Sequence, residues 1–412
     1  MKRITWFTSV GVLAVLVGIS QTQAETGDGR DIAAWNTFVD RLKEVGAEFL
    51  RDNRERDEID QAEGPLYVAQ QLAVTVSSVM AERDLAFPLL RVSATNIHKW
   101  GLDGADAKYT GAPLDSEGVY RLSGHLGSAR LIAIQAVQTE PVFAAFASLS
   151  GTELDVDARG EFTVMIARQR PQGWSGPWLE MDARTTNLTV REYFYDWDSE
   201  QPSDMRLVRV DKVSGAAPLT HADSAAVLDR FVDRFDARLQ AWLPWLERTR
   251  SEPANQLRQL PHTGQGLKNN IYGEGWFDLD PGQALIIELD APSADMWSFQ
   301  LGNLWWESID YINGTGSLNG HQAVAGSDGR YRLIIALEDP GVPNWLNPAE
   351  HSRGMIMYRF QNSEPASVPA TRLVRLAQLG SVLPADTPTV TPAQRRAEIE
   401  RRRMHGAVRW AP

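Results

Sequence analysis

The spacing of apolar positions changes several times along the chain. Residues 32–51 put Ile32, Trp35, Phe38, Val39, Leu42, Val45 and Phe49 on one stripe, which predicts an amphipathic helix. Residues 65–82 predict a second helix with Tyr67, Leu72, Val76 and Met80 on its apolar side. Pro65 falls in its first turn, where a missing N–H costs nothing. From Gly101 the period drops to two. Residues 119–124, 130–137, 161–167, 187–194 and 205–210 read as strands, with a Gly-containing turn at 125–128 and a loop carrying Trp174 and Trp178.

Residues 224–248 return to helical spacing through Val227, Phe231, Phe235, Leu239, Trp242 and Leu246, opened by His221 or Asp223. The polar stretch 256–273 reads as a loop. Strand-like runs follow at 276–279, 283–289, 296–301, 331–337 and 354–360, interrupted by a long excursion to Gln322. Residues 371–379 suit a short strand or helix. A Pro/Thr linker at 384–392 leads to an Arg-rich helix at 393–404, read as a solvated, loosely held tail, with contact to anionic lipid as the alternative.

Short strands at this spacing predict a mainly β protein of two antiparallel sandwich or jelly-roll-like units. An N-terminal helical segment precedes them and a connecting helix joins them. The implied segments are 1–24 (signal peptide), 25–100 (helical), 101–218 (first β unit), 219–255 (connecting helix), 256–380 (second β unit) and 381–412 (linker and basic helix).

Residues 1–24 carry Lys2 and Arg3, then an apolar run over 10–19, then small and polar residues to Ala24. This is the layout of a cleaved export signal and predicts a periplasmic or secreted protein with no transmembrane helix once the signal is removed. An uncleaved anchor is the alternative. No Cys precedes the mature start, which argues against a lipoprotein anchor. Cleavage removes two basic groups and no acid, taking the formal charge from −12 to −14. Such a surface disfavours nucleic acid. The absence of Cys excludes disulfides, zinc–thiolate sites and cysteine nucleophiles.

Candidate chemistry concentrates in residues 297–322, where three tryptophans, Tyr311, Glu307, Asp310 and His321 interleave with Asn303, Asn313, Asn319 and glycines. Flat apolar walls with a few aimed polar groups are what a concave site requires. His321, freed by Gly320, is the candidate acid or base; a hydrogen-bonded structural histidine is the competing reading. Glu307 and Asp310 beside Trp305, Trp306 and Tyr311 suit paired carboxylates with raised pKa, or two acids that only fix a loop. Asn319 and Trp345 complete the candidate lining. Arg191, Asp196, Asp198 and Glu200 form a second cluster. It could bind ligand, hold a divalent cation at Asp196, or pin a strand corner through an Arg–Asp pair. No other cofactor is implied. Nucleophile-elbow, Walker, dinucleotide and HExxH motifs are absent from the sequence.

Several phrases together resemble the uncharacterised bacterial family built around the DUF1214 domain. They are REYFYDWDSEQP (191–202), YGEGWFDLDPGQALIIEL (272–289), WSFQLGNLWWESIDY (297–311), SLNGHQA (317–323) and EDPGVPNWL (338–346). The C-terminal match covers roughly residues 260–380. The resemblance implies a two-unit, β-rich architecture and brings no reaction, cofactor or catalytic residue. The functional expectation is an exported, cofactor-free hydrolase or lyase acting on a polyhydroxylated or amphipathic substrate. The alternative is a non-catalytic carbohydrate- or lipid-binding protein. In either case Glu307, Asp310, Asn319 and His321 should converge on one cavity walled by Trp305, Trp306 and Tyr311.

Overall fold

A computed structural model describes residues 29–53, 56–140, 143–211, 218–261 and 269–410. The segment read as a signal peptide lies outside the described residues. Helix α1 (Arg30–Asp52) comes first, then α2 (Glu58–Ala81). The Asp57 side chain caps α2 by accepting from the Asp60 amide at 3.1 Å, so the helix begins seven residues before Pro65 and carries that proline in its interior. Its buried face is also turned from the expected one: Tyr67, Gln71, Thr75 and Val79 face inward, while Val76 and Met80 are exposed. Burial of Gln71 and Thr75 is tolerated because Gln71 donates to Lys99 O and Thr75 to Gln71 O.

Nine strands follow: β1 (Arg91–Ala94), β2 (Ala107–Pro113), β3 (Tyr120–His125), β4 (Leu131–Gln138), β5 (Ala144–Ser150), β6 (Glu161–Ala167), β7 (Trp178–Glu180), β8 (Asn187–Tyr193) and β9 (Asp204–Arg209). They form a five-stranded sheet, β1-β2-β8-β4-β5, packed on a four-stranded sheet, β7-β6-β3-β9. The core between them holds Tyr120, Leu122, Ile134, Val164, Ile166, Leu188 and Val190.

The connecting segment is two helices rather than one, α3 (His221–Gln240) and α4 (Leu243–Arg250). Thr220 and Asp223 cap α3 reciprocally, and Pro244, with no N–H to give, sits in the first turn of α4 and ends the continuity. The second unit is β10 (Gln256–Gln259), β11 (Ile271–Asp278), β12 (Gln283–Leu289), β13 (Ala294–Gly302), β14 (Ser317–Asn319), β15 (Tyr331–Ala336), β16 (Trp345–Leu346), β17 (Arg353–Ser363) and β18 (Ala370–Arg375). Part of the expected loop at 256–273 is therefore strand: β10 pairs antiparallel with β11.

The second unit's sheets run β10-β11-β17-β13-β14 and β16-β15-β12-β18. Adding nine to every strand label of the first unit reproduces the second. Even the one parallel contact per unit repeats, β6 with β7 and β15 with β16. The fold is thus mainly β and internally duplicated. Helices α1, α2 and α3 pack around Phe49, Tyr67, Phe231, Phe235 and Trp305, against the excursion that follows β13. Among the described residues no helix is long and apolar enough to cross a membrane.

After a short helix, α5 (Leu379–Val382), the chain ends in α6 (Pro392–Arg409). This helix is docked, not loosely held. Arg395, Arg402 and Arg409 recur every seven residues on its buried face, while Arg396, Arg401 and Arg403 face outward. Arg395 pairs with Asp339 at 3.0 Å, and Arg402 donates to Tyr311 O and Ser317 O. Arg409, fully buried, stacks 4.5 Å over Trp197 and donates to Ala105 O. Carbonyls and aromatic faces, more than acids, receive this basic helix.

Candidate functional site

The residues singled out in the excursion do not share one set of neighbours. Trp305 is buried among Phe49 and Tyr67 of the helical segment, with Arg56 stacked 3.9 Å over its ring. Trp306, at φ 59°, stacks on Trp242 and lies near Trp245. Tyr311 donates to Asp103 at 3.0 Å. These rings are core at a helix–sheet junction and not cavity walls. Trp345 is buried too, its indole donating to Ala336 O beneath Arg395 of α6.

Asp310 accepts from the amides of Ile312 and Asn313 and from the Asn313 side chain, which depress its pKa against the opposing effect of burial. It fixes a loop. Asn319 donates to Asp106 and Tyr195 O and accepts from the amides of His321 and Gln322. His321 is half exposed, its Nε2 3.4 Å from Asp196. Gly320 is required there, since a Cβ would collide with the Tyr195 hydroxyl and the Trp297 indole. The structure thus joins His321 to the Asp196 cluster and leaves Glu307 elsewhere. Asp196 also accepts from Ser199 and the Asp198 amide, and Glu200 accepts from the Tyr195 amide at 2.6 Å. These acids pin the corner after β8. The expected Arg191–Asp pair does not form.

Arg191 points to the opposite face of its strand from the core residues Leu188 and Val190, towards the second unit. There the outer faces of the two five-stranded sheets meet: Met296 of β13 packs on Ala107 and Tyr193. In β8, Arg191 registers with Tyr109 of β2 and Ala133 of β4. In β17, Arg359 registers with Tyr272 of β11 and Ser298 of β13. Two residues beyond Ala133 and Ser298 stand Gln135 and Gln300. Arg191 donates to Gln135 at 2.9 Å and Arg359 to Gln300 at 2.8 Å. The sheet duplication therefore extends to a Tyr–Gln–Arg triad, with one copy from each unit.

The triads share one electrostatic environment: Tyr109 and Tyr193 both feel Arg191, Arg359 and Tyr272. Burial works against the Arg191 charge, but Tyr193, Tyr109 and Tyr272 outweigh it and raise the guanidinium pKa, so the fold favours the charged form. The Tyr109 and Tyr193 phenols are pushed up by burial, so they remain neutral near pH 7. Among the described residues, no carboxylate lies within ion-pair distance of either arginine. Arg191 Nε has no hydrogen-bond partner, and Arg359 spends its second nitrogen on Leu102 O. Asp103, a buried acid that feels Arg359, has its oxygens engaged by Ser308 and Tyr311. Yet Tyr109, Arg191, Tyr272 and Arg359 each keep some accessible surface. Sequence reasoning placed Arg191 among candidates but missed Arg359. The signal available was a shared strand position, which only the pairing register discloses.

A second polar cluster lies where α2 meets the excursion. Glu307 is buried beside Asn303, and burial pushes its carboxyl up to about 8. Asp60 is pushed up to about 7, first by burial and then by Asp57. Asn303 donates to Glu63 at 2.8 Å, and His351 Nε2 lies 3.1 Å from the same Glu63 oxygen.

The fold and the paired triads define a class: an internally duplicated two-sandwich β protein with arginines and tyrosines at the contact between its halves. No family model and no curated protein sequence matches the chain. Among solved structures it is similar to an uncharacterised protein of Burkholderia cenocepacia, with 26% identity and a TM-score of 0.78 over 84% of this chain and 99% of that one. A protein of Vibrio parahaemolyticus aligns over 75% of this chain and all of its own at 13% identity, with a TM-score of 0.43. That second fit is too loose to carry an argument. The first likeness speaks for the fold and brings no activity with it.

Proposed function

We propose that this chain is an exported binding protein for a small hydroxylated organic acid, such as a sugar acid, held between the two sandwich units. The observation that carries the reading is the pair of register-equivalent arginines, Arg191 and Arg359, facing one interface with no carboxylate at ion-pair distance among the described residues. Two like charges brought to one interface leave donors that a bound anion would engage through charge-assisted hydrogen bonds. Tyr109, Tyr193 and Tyr272 add ring faces and hydroxyls suited to a polyhydroxylated body. The resemblance to DUF1214 proteins fits this reading and adds no reaction to it.

A second reading, a cofactor-free hydrolase or lyase, is favoured by one feature. Glu307, near 8, is poised as an acid or base at physiological pH. It belongs to the α2 junction, however, and the interface triads are built of tyrosine, glutamine and arginine, with no histidine or carboxylate among them. Binding is therefore the stronger reading. A thermal-shift screen decides the ligand class: mono- and dicarboxylates and uronates against neutral sugars and sterols. Stabilisation confined to the acids supports the proposal, whereas stabilisation by neutral sugars or sterols alone contradicts it.

A further inference from the structure

Asp60, Glu63 and His351 offer one ligand atom each, all within 4.8 Å of one another, and they are the one such group among the described residues. Asp60 and Glu63 are three residues apart in the opening turns of α2, hence on one helix face. His351 arrives from the turn before β17. That turn holds two consecutive non-glycine residues in the left-handed region, Ala349 at φ 50° and Glu350 at φ 71°. Backbone of this kind persists where the surroundings over-determine it, and it clusters at functional sites.

Two observations turn this cluster into a site. Asp60 is only 1% exposed, and as a carboxylate neither of its oxygens meets a hydrogen-bond donor; the side chain of Asp57, a second acid, lies beside it. A buried carboxylate with both oxygens unpartnered is a costly arrangement that asks for a cation. The second observation is the imidazole. His351 Nδ1 lies 2.8 Å from Pro348 O, an acceptor that fixes a proton on that nitrogen. In a neutral ring Nε2 is then the acceptor facing the Glu63 oxygen 3.1 Å away, and either a second ring proton or a cation must lie between them. Two acceptors at that distance repel unless a positive centre sits between them. An ion bonded at about 2.1 Å spaces its ligands roughly 3–4 Å apart, which this geometry meets with little movement.

The surroundings hold the three ligands in place. Asn303 Nδ2 donates to Glu63 Oε2, and the Trp305 indole donates to the Asp60 carbonyl at 2.8 Å. Gly64 lets that indole approach, since a Cβ there would lie 2.8 Å from the ring. The basic groups nearby are engaged elsewhere: Arg56 donates to Leu304 O and Asn53, and Arg353 pairs with Asp57 at 3.5 Å. Glu63 is about a third exposed, which leaves an ion a way in.

We infer that Asp60, Glu63 and His351 bind a divalent first-row transition ion, of the Mn2+ or Zn2+ class. Two carboxylates with one imidazole favour such ions over Ca2+ or Mg2+, which prefer all-oxygen sites. The site is distinct from the interface arginines and stands or falls independently of them. The competing account is a simple His351–Glu63 ion pair, with the imidazole doubly protonated.

The test uses the full chain, stripped with a chelator and dialysed against Zn2+, Mn2+ or Ca2+, with bound metal measured per chain by elemental analysis. The expected result is one equivalent of Zn2+ or Mn2+, with a matching rise in melting temperature. Asp60→Asn and Glu63→Gln should each weaken retention by about tenfold or more. Glu63 lies near the surface, so Glu63→Gln keeps the test usable if Asp60→Asn fails to fold. Retention of no transition ion, of Ca2+ alone, or of equal metal by both variants would overturn the inference and leave the ion pair.

Discussion

Arg191 and Arg359 occupy one and the same register position in two copies of a nine-strand pattern, and each donates to a glutamine two residues along the neighbouring strand. Unit-to-unit interfaces generally bury matched apolar or oppositely charged groups. This one brings together two cations and three tyrosines. Both arginines keep some accessible surface and bond to glutamine, and on the proposed reading a ligand of opposite charge would complete their pairing.

The Arg191→Met variant should fold and stay within about 1 kcal/mol of the parent, because the side chain is partly exposed, its hydrogen bond to Gln135 has a neutral acceptor, and Met fills a similar volume. Urea denaturation measures this. A loss above roughly 3 kcal/mol would show that Arg191 clamps the sheet through Gln135 and Tyr193 and has no need of a ligand.

Trp305→Ala should cost about 3–5 kcal/mol, since the ring fills the junction of α1, α2 and α3. The same denaturation experiment reads it. A cost below about 1 kcal/mol would return Trp305 to the list of ligand-contacting walls.

Glu307 gives stability a pH dependence of defined sign. Its carboxyl is raised from 4.5 to about 8 in the fold, so the folded state holds the proton more tightly than the unfolded one. The stability this contributes is complete below about pH 4.5 and is lost as pH climbs towards 8. Asp60 acts in the same direction between 3.8 and about 7. With chelator present, the parent should lose on the order of a few kcal/mol between pH 5 and 8. Glu307→Gln should flatten part of that slope. An unchanged slope would remove Glu307 as its source.

Much of the architecture was legible in the sequence, because alternating apolar positions mark sandwich strands such as β4, β6 and β12 without reference to their partners. What escaped depends on pairing. Strand β10 is polar and half exposed, so its period carries no signal, and β16 is two residues long. In α6 the inward face is arginine, which amphipathic pattern reading assigns to water; only the carbonyls waiting in the excursion reveal that it docks. The site suffered the same way. Aromatics crowded around Glu307 look alike whether they wall a cavity or fill a junction, and two of the helices that fill it, α1 and α2, lie far away in sequence, as Asp60–Trp305 at 245 residues shows. His321 and Asp196, read as separate clusters, turned out to be neighbours.

His321→Ala should change stability by less than about 0.5 kcal/mol, because its side chain is half exposed and its one close acid, Asp196, retains Ser199 and the Asp198 amide. Acid binding between the units should be untouched. A selective loss of binding or turnover in this variant would move the site to the Asp196 corner.

The central claim rests on the two arginines, and the most direct measurement is the shift in melting temperature that organic acids produce in the parent and in the Arg191→Met/Arg359→Met double variant. The account predicts that at least one hydroxylated carboxylate raises the parent's melting temperature, that its neutral analogue does not, and that the shift vanishes in the double variant while its fold is retained. A shift that survives loss of both arginines, or a parent indifferent to every carboxylate tested, would contradict it.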